Sequence, residues 1–156
     1  MEYPMKAWKI VMASDHAGLA LKLYLRGVLE KRGCTVVDVG THTEASCDYP
    51  DYAAEAGRRL AAGEFERGVF VCGTGVGVSI SANKIPGLRA VTATSELVVE
   101  LSRKHNDANV LCLGKWILGE TLAEALVCRF LETGFEEGRH LLRLAKIRRL
   151  ESDCKS

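Results

Sequence analysis

Short apolar runs alternate with longer amphipathic stretches along the whole chain. Residues 8–14 (WKIVMAS) form an apolar run ending in a turn, and residues 17–32 then place Leu21, Leu25, Val28 and Leu29 at helical spacing. Lys22 and Arg26 fall on a different face of that helix, which is expected to be solvated, and Gly33 suits its stop. Residues 34–39 (CTVVDV) are β-branched and close at Gly40; residues 41–49 are polar and irregular. Pro50 opens an Ala-rich helix to Ala62, as proline favours the first helical turn. A third strand over 68–72 (GVFVC) runs into a glycine loop, Gly73-Thr74-Gly75-Val76-Gly77, and a short helix to about Lys84. Residues 88–93 predict strand four. Residues 94–105 predict a helix with Glu100 and Lys104 paired at i, i+4. Residues 110–113 predict strand five. Thr121 and Glu124 have capping-box spacing for a helix to Glu132, and a last, basic helix covers 138–150.

Five strands that are apolar along their whole length, alternating with helices, indicate a parallel sheet covered on both faces. The expectation is one α/β domain over residues 1–156: a three-layer α/β/α Rossmann-like architecture with a five-stranded parallel sheet and an extra C-terminal helix. The pattern does not yield the strand order. A length of 156 residues suits one domain, and 47% hydrophobic with 26% charged residues is ordinary globular composition. The net charge of +1 gives no global pull toward nucleic acid or membrane. No apolar run approaches the ~18 residues of a membrane span, and the first ten residues lack a signal-peptide core. The six cysteines, at 34, 47, 72, 112, 128 and 154, include no C-x-x-C pair, so a reduced, cytoplasmic protein is the simplest expectation.

Open α/β sheets bind ligands beyond the carboxyl ends of their strands. Four polar groups are expected to gather there: Asp15-His16-Ala17-Gly18 after strand one, Asp48-Tyr49-Pro50-Asp51 after strand two, the 72–77 loop after strand three, and His105-Asn106 before strand five. The loop matches neither a Walker A motif nor a dinucleotide fingerprint, and position 78 is Val78 where a Cys-based phosphatase would need Arg. It suits an oxyanion or small phosphate, or is simply a tight turn. Cys72 abuts a helix N-terminus, which favours a thiolate; the alternative is a buried, inert cysteine. His16 and His105 could move protons near neutral pH or be ordinary surface or core residues. Asp15 reads equally as a working carboxylate or an N-cap, and Asn106 as a helix cap or an oxyanion donor. Arg139, Arg143 and Lys146 lie on one helix face with His140 adjacent, a phosphate grip or a solvated basic face. A nucleic-acid partner is not expected from so short a basic stretch.

In this order, Asp15-His16-Ala17-Gly18, Asp48-Tyr49-Pro50-Asp51, Cys72-Gly-Thr-Gly-Val-Gly, Ala82-Asn83-Lys84, residues 105–111 and Gly-Arg139-His140-Leu-Leu-Arg143 resemble the type B ribose-5-phosphate isomerase family, which also includes allose- and galactose-6-phosphate isomerases. The resemblance runs from about Lys9 to Leu150. It implies an aldose–ketose isomerisation through a cis-enediolate, with no metal and no cofactor. On that resemblance Cys72 is the base, Thr74 shuttles protons between oxygens, and Asp15, His16 and His105 bind substrate and open the furanose ring. Arg139 and Arg143 hold phosphate, and Asn106 with the amides of Gly73, Gly75, Val76 and Gly77 stabilises the enediolate. It also implies a homodimer or homotetramer with active sites shared between subunits, acting on a small sugar phosphate away from membranes. Part of the family has Gly for the Cys and a Glu six positions on; Val78 there puts this chain on the Cys branch. Many members carry Arg two residues after the glycine ending strand five, where this chain has Trp116, with Lys115 beside it. Hexose 6-phosphate isomerisation, or binding of a phosphometabolite without turnover, are the other readings.

Overall fold

The strands are held in one layer because their side chains are apolar on both faces. In the computed structural model, which describes residues 6–153, β1 (Lys9–Ser14), β2 (Thr35–Asp38), β3 (Arg67–Cys72), β4 (Ala90–Thr92) and β5 (Val110–Gly114) form one sheet. All pairings are parallel and the order is β2-β1-β3-β5-β4. Between and after them run α1 (Leu19–Lys31), α2 (Tyr49–Ala61), α3 (Val76–Ala82), α4 (Glu96–Asn106), α5 (Glu120–Glu132) and α6 (Arg139–Asp153). The expected α/β/α layering and the five-stranded parallel sheet are both present.

Alternation along the strands builds two cores. Ile10, Met12, Val69, Val71, Leu111 and Leu113 face α1, α4 and α5, burying Leu21, Leu25, Leu29, Val99, Leu126 and Phe130. Val11, Ala13, Phe70, Cys72, Val110 and Cys112 face α2 and α3, against Ala53, Ala56, Leu60, Val78 and Ala82. Small alanines on α2 and Gly57, where a Cβ would meet the Ile85 and Leu88 methyls at 2.6 and 2.7 Å, let that layer pack closely. α6 has no strand behind it. It buries only His140 and Leu144 and touches α4.

Two local expectations are corrected. Lys22 is not on a solvated face: it is wholly buried, because its stem follows the core side of α1 and its ammonium reaches Asp38, 2.9 Å away. Thr121 and Glu124 form no capping box. Gly119 is the N-cap of α5, and the Glu124 carboxylate instead accepts from the Tyr24 hydroxyl at 2.8 Å, tying α5 to α1. The Glu100–Lys104 pair does form, at 2.6 Å. Cys154 lies outside the described residues. Among the described residues, no helix is long and apolar enough to cross a membrane.

Candidate active site

The strand order reverses between β1 and β3: the chain leaves β1 toward β2, then returns across β1 to lay down β3. At such a switch point the loops diverge and leave a crevice at the carboxyl edge. Ser14 pairs with Val71 there, so the β1 loop and Cys72 are neighbours. Gly18 is what lets them meet, since a Cβ on it would stand 2.6 Å from the Val71 carbonyl oxygen. Asp15 is buried, and its Oδ1 accepts from the Gly18 amide at 3.0 Å, closing the turn that starts α1. His16 Nδ1 accepts from the Cys47 amide at 3.2 Å. In the neutral ring that leaves the proton on Nε2, free to donate.

Cys72 is 4% exposed, and its Sγ accepts from the Gly75 amide at 3.1 Å. The loop can curl back over the sulfur because Gly75 sits at φ +81 in the left-handed region. Thr92 Oγ1 clamps the Gly75 carbonyl at 3.1 Å, and Thr74 Oγ1 accepts from the Val76 amide at 3.3 Å. Of the 73–77 amides, Gly75 and Val76 already donate to Cys72 Sγ and Thr74 Oγ1, and Gly77, in the first turn of α3, lacks an intrahelical acceptor by geometry and is a further N–H donor of the loop. Two aromatic rings flank it: a Cβ on Gly77 would lie 2.5 Å from the Tyr49 ring, and one on Gly73 2.5 Å from the Trp116 ring. Thus Asp15, His16, Cys72, Thr74, Gly73, Gly75, Val76 and Gly77 are brought together.

His105 and Asn106 do not join them. α4 runs antiparallel to the strands, so its last residues lie at the amino edge of the sheet, where β5 begins. The Asn106 carbonyl accepts from Arg89 Nε at 3.1 Å, one residue before β4, and Arg89 also bonds the Asp107 carbonyl. The expected place of His105-Asn106 at the carboxyl edge is therefore corrected: a helix that leads into a strand ends at that strand's amino edge. Asp107, at φ 46, rather than Asn106 caps α4.

At that amino edge His105 meets α6. Its ring stacks on His140, with centroids 4.4 Å apart and planes 14° from parallel. Glu136 Oε2 lies 4.0 Å from His105 Nε2 and 3.8 Å from His140 Nε2. Arg139 and Arg143 flank this pair, and Arg143 Nη1 approaches His140 Nδ1 at 3.5 Å. His140 is therefore buried rather than part of an exposed face, while Arg139, Arg143 and Lys146 are exposed. The three potential ligand atoms of His105, Glu136 and His140 lie within 4.8 Å of one another. A metal must sit in the plane of each imidazole that binds it, and two near-parallel stacked rings share no such point, so this arrangement does not suit an ion. Cationic crowding marks the whole edge: burial, opposed by Asp107 but reinforced by Arg103, lowers the Arg67 guanidinium to about 10.

The ribose/galactose isomerase family model matches residues 10–147. Ribose-5-phosphate isomerase B of Escherichia coli is 42% identical over 143 residues, covering 92% of this chain and 96% of that protein. The chain belongs to the ribose/galactose isomerase family. Solved structures agree: a Clostridium thermocellum ribose-5-phosphate isomerase B superposes with a TM-score of 0.92 at 44% identity, covering 93% of this chain and 98% of that one. A ribose 5-phosphate isomerase from Thermotoga maritima gives 0.89 at 42%, covering 91% and 98%. The isomerase-family fold is thus present over nearly the whole chain.

Several participants escaped sequence reasoning. Arg103 is 2% exposed and donates to Asp107 Oδ1 (2.8 Å), the Ala108 carbonyl (2.6 Å) and the Thr133 carbonyl (3.2 Å), welding the end of α4 to the α5–α6 connection. Nothing in its local pattern separates it from the solvated Lys104 beside it. His140 stands within the last sequence motif but carried no role there, and Glu136 left no mark in the pattern.

His140 carries a testable consequence. Burial, then the nearby His105 and the two arginines, hold its pKa below the ordinary 6.5, with Glu136 opposing. The folded chain therefore takes up this proton later than the unfolded chain as pH falls. Its contribution is lost as pH drops from about 6.5 toward the lower folded value. Urea midpoints measured across pH 7 to 5 should fall more steeply for the parent than for His140→Asn; equal slopes would contradict this placement.

Proposed function

We propose that this chain is a ribose-5-phosphate isomerase, interconverting ribose 5-phosphate and ribulose 5-phosphate through a cis-enediolate. The observation that carries the reading is Cys72: a thiol at the switch point, hydrogen-bonded by the Gly75 amide of the glycine loop. The curated relative from Escherichia coli bears this name, and membership of the family supports the transfer. Cys72 removes the proton from C2 of the open-chain aldose and returns it to C1, giving the ketose. Thr74 relays the hydroxyl proton between O1 and O2. The C–H cleavage places negative charge on oxygen, where amides of the 73–77 loop and Asn106 are the donors; one such donor typically contributes about 3 kcal/mol. Asp15, His16 and His105 bind and open the furanose, and Arg139 and Arg143 take the phosphate, orienting the reacting carbons.

These roles need two copies of the chain. Cys72 ends β3 beside Gly114, the last residue of β5, whereas His105 and Asn106 precede Val110, its first. Four strand steps, about 13 Å, separate the two edges. A second copy must therefore present its amino-edge set (His105, Asn106, Arg139 and Arg143) to the first copy's loop, and a two-fold homodimer builds two such composite sites. A homotetramer would pair such dimers. The reading entails one isomerase domain, a cytoplasmic location, and no nucleic-acid or membrane partner.

Complementation tests this directly. Cys72→Ala and Arg139→Ala/Arg143→Ala are each expected to be inactive. Co-expressed, they should recover roughly a quarter of parental activity, because half the dimers are mixed and each mixed dimer holds one intact composite site. No recovery from mixed dimers that demonstrably form would place the whole site within one chain. Side-by-side assays of ribose 5-phosphate, allose 6-phosphate and galactose 6-phosphate separate the pentose reading from the hexose one. Binding without turnover of any of them would identify a non-catalytic module.

A further inference from the structure

Trp116 is 73% exposed, the most exposed of the large apolar side chains among the described residues, and it lies beside the proposed base. Its place is not set by the core. The turn after β5 is stitched to the glycine loop by two backbone bonds, Lys115 N to the Cys72 carbonyl and Trp116 N to the Gly73 carbonyl, both 2.9 Å. The indole then lies on the backbone of Gly73, where a Cβ would meet three ring carbons at 2.5 to 2.7 Å. Gly73 thus serves as the seat for this ring. Across the loop the Tyr49 ring covers Gly77 in the same manner. An indole that buries so little of itself against its own chain leaves a large apolar face for another molecule.

We infer that Trp116 is a specificity-determining residue: its indole walls the pocket at the glycine loop, contacts the carbon chain of a bound sugar phosphate and limits the length of chain admitted. The inference rests on the isomerase reading and adds a residue to it. The face of an aromatic ring suits the C–H bonds of a sugar, and the indole, seated on Gly73 by a turn that two backbone bonds fix, narrows the room for an extra carbon. Pocket discrimination of one methylene is worth roughly 10–200-fold.

The experiment uses two readouts. The chain has only two tryptophans, and Trp8 sits at the other edge of the sheet, its ring covered by Lys6 and Arg67. In a Trp8→Phe background the emission therefore reports Trp116 alone. Saturating ribose 5-phosphate should shift it, and inorganic phosphate should shift it less. In parallel, Trp116→Ala should raise KM for ribose 5-phosphate about tenfold. It should also move the kcat/KM ratio of allose 6-phosphate to ribose 5-phosphate upward by about tenfold, while Trp116→Phe stays near the parent. An unchanged emission in an enzyme that turns over ribose 5-phosphate would overturn the inference and leave the isomerase reading intact. So would a Trp116→Ala variant altered only in its association state. Conversely, a Trp116 shift on binding in a chain that isomerises nothing would sink the isomerase reading and keep the wall.

Discussion

Cys72→Ala is expected to lower kcat for ribose 5-phosphate by about 10³-fold or more, with KM nearly unchanged and the protein still folded. The activity loss follows from removing the proposed base, since a positioned base typically contributes about 10²–10⁴-fold. The thiol of Cys112 faces the same core from the neighbouring strand but is wholly buried, and burial pushes its pKa strongly upward despite its hydrogen bond with Ser79. It cannot reach a ligand in the crevice. KM is insulated because the groups proposed to grip phosphate, Arg139 and Arg143, sit on α6 and not on the β3 loop. The fold is insulated because the substitution deletes one sulfur atom, the acceptor of the Gly75 amide, from a site lined by Val78 and Ala82, while Thr92 still clamps the Gly75 carbonyl. A cavity of that size costs about 1 kcal/mol, within the reserve of an ordinary domain. Steady-state kinetics with a urea melt on the same preparation checks both halves. Retained turnover in the folded variant would remove Cys72 from the chemistry and leave His16 or Asp15 as the base.

Much of this molecule could be read before its shape was known, for identifiable reasons. Runs such as IVMA and VFVC are apolar on consecutive positions, which only a sheet covered on both faces tolerates, so layer architecture followed from periodicity. The glycine loop was conspicuous because φ > 0 and close backbone approach both demand glycine, as Gly75 and Gly73 bear out. What remained hidden depends on direction and on pairing. Asn106 and Cys72 each border a strand, yet at opposite edges, and a linear pattern does not say which way a helix end points. Lys22 shows the pairing problem. Its position on the helical wheel of α1 resembles that of solvated Arg26, and only the arrival of Asp38 from β2 makes burial favourable. Charge partners distant in sequence leave no local mark on either residue.

That same pair supports the second large effect: Lys22→Ala should destabilise the fold by about 3–5 kcal/mol. The Lys22 ammonium is fully buried, 2.9 Å from Asp38 Oδ2 in an ion pair whose angles are not those of a hydrogen bond, and it donates to the Thr41 carbonyl at 2.5 Å. Removing the lysine strands a carboxylate that is 1% exposed and uncouples the Thr41 carbonyl. Breaking one side of a buried pair costs far more than the pair contributes net, because the remaining charge has lost both water and partner. Asp38 also holds the turn, accepting from the Gly40 amide at 2.9 Å, and Thr41 donates to the Ser14 carbonyl at 3.0 Å. Gly40 itself packs so tightly on Ser14 that a Cβ would stand 2.4 Å from its amide nitrogen. The strain of a lost pair is thereby delivered to the residue immediately before Asp15. Urea denaturation should show the loss for Lys22→Ala and a comparable one for Asp38→Ala, whereas Lys22→Met/Asp38→Leu should recover much of it by replacing both charges with apolar volume. The double variant separates the two consequences: if stability returns but kcat does not, the buried pair also sets the position of the β1 loop at the crevice. Additive losses in the double variant would mean that the two charges do not depend on one another, contrary to the geometry.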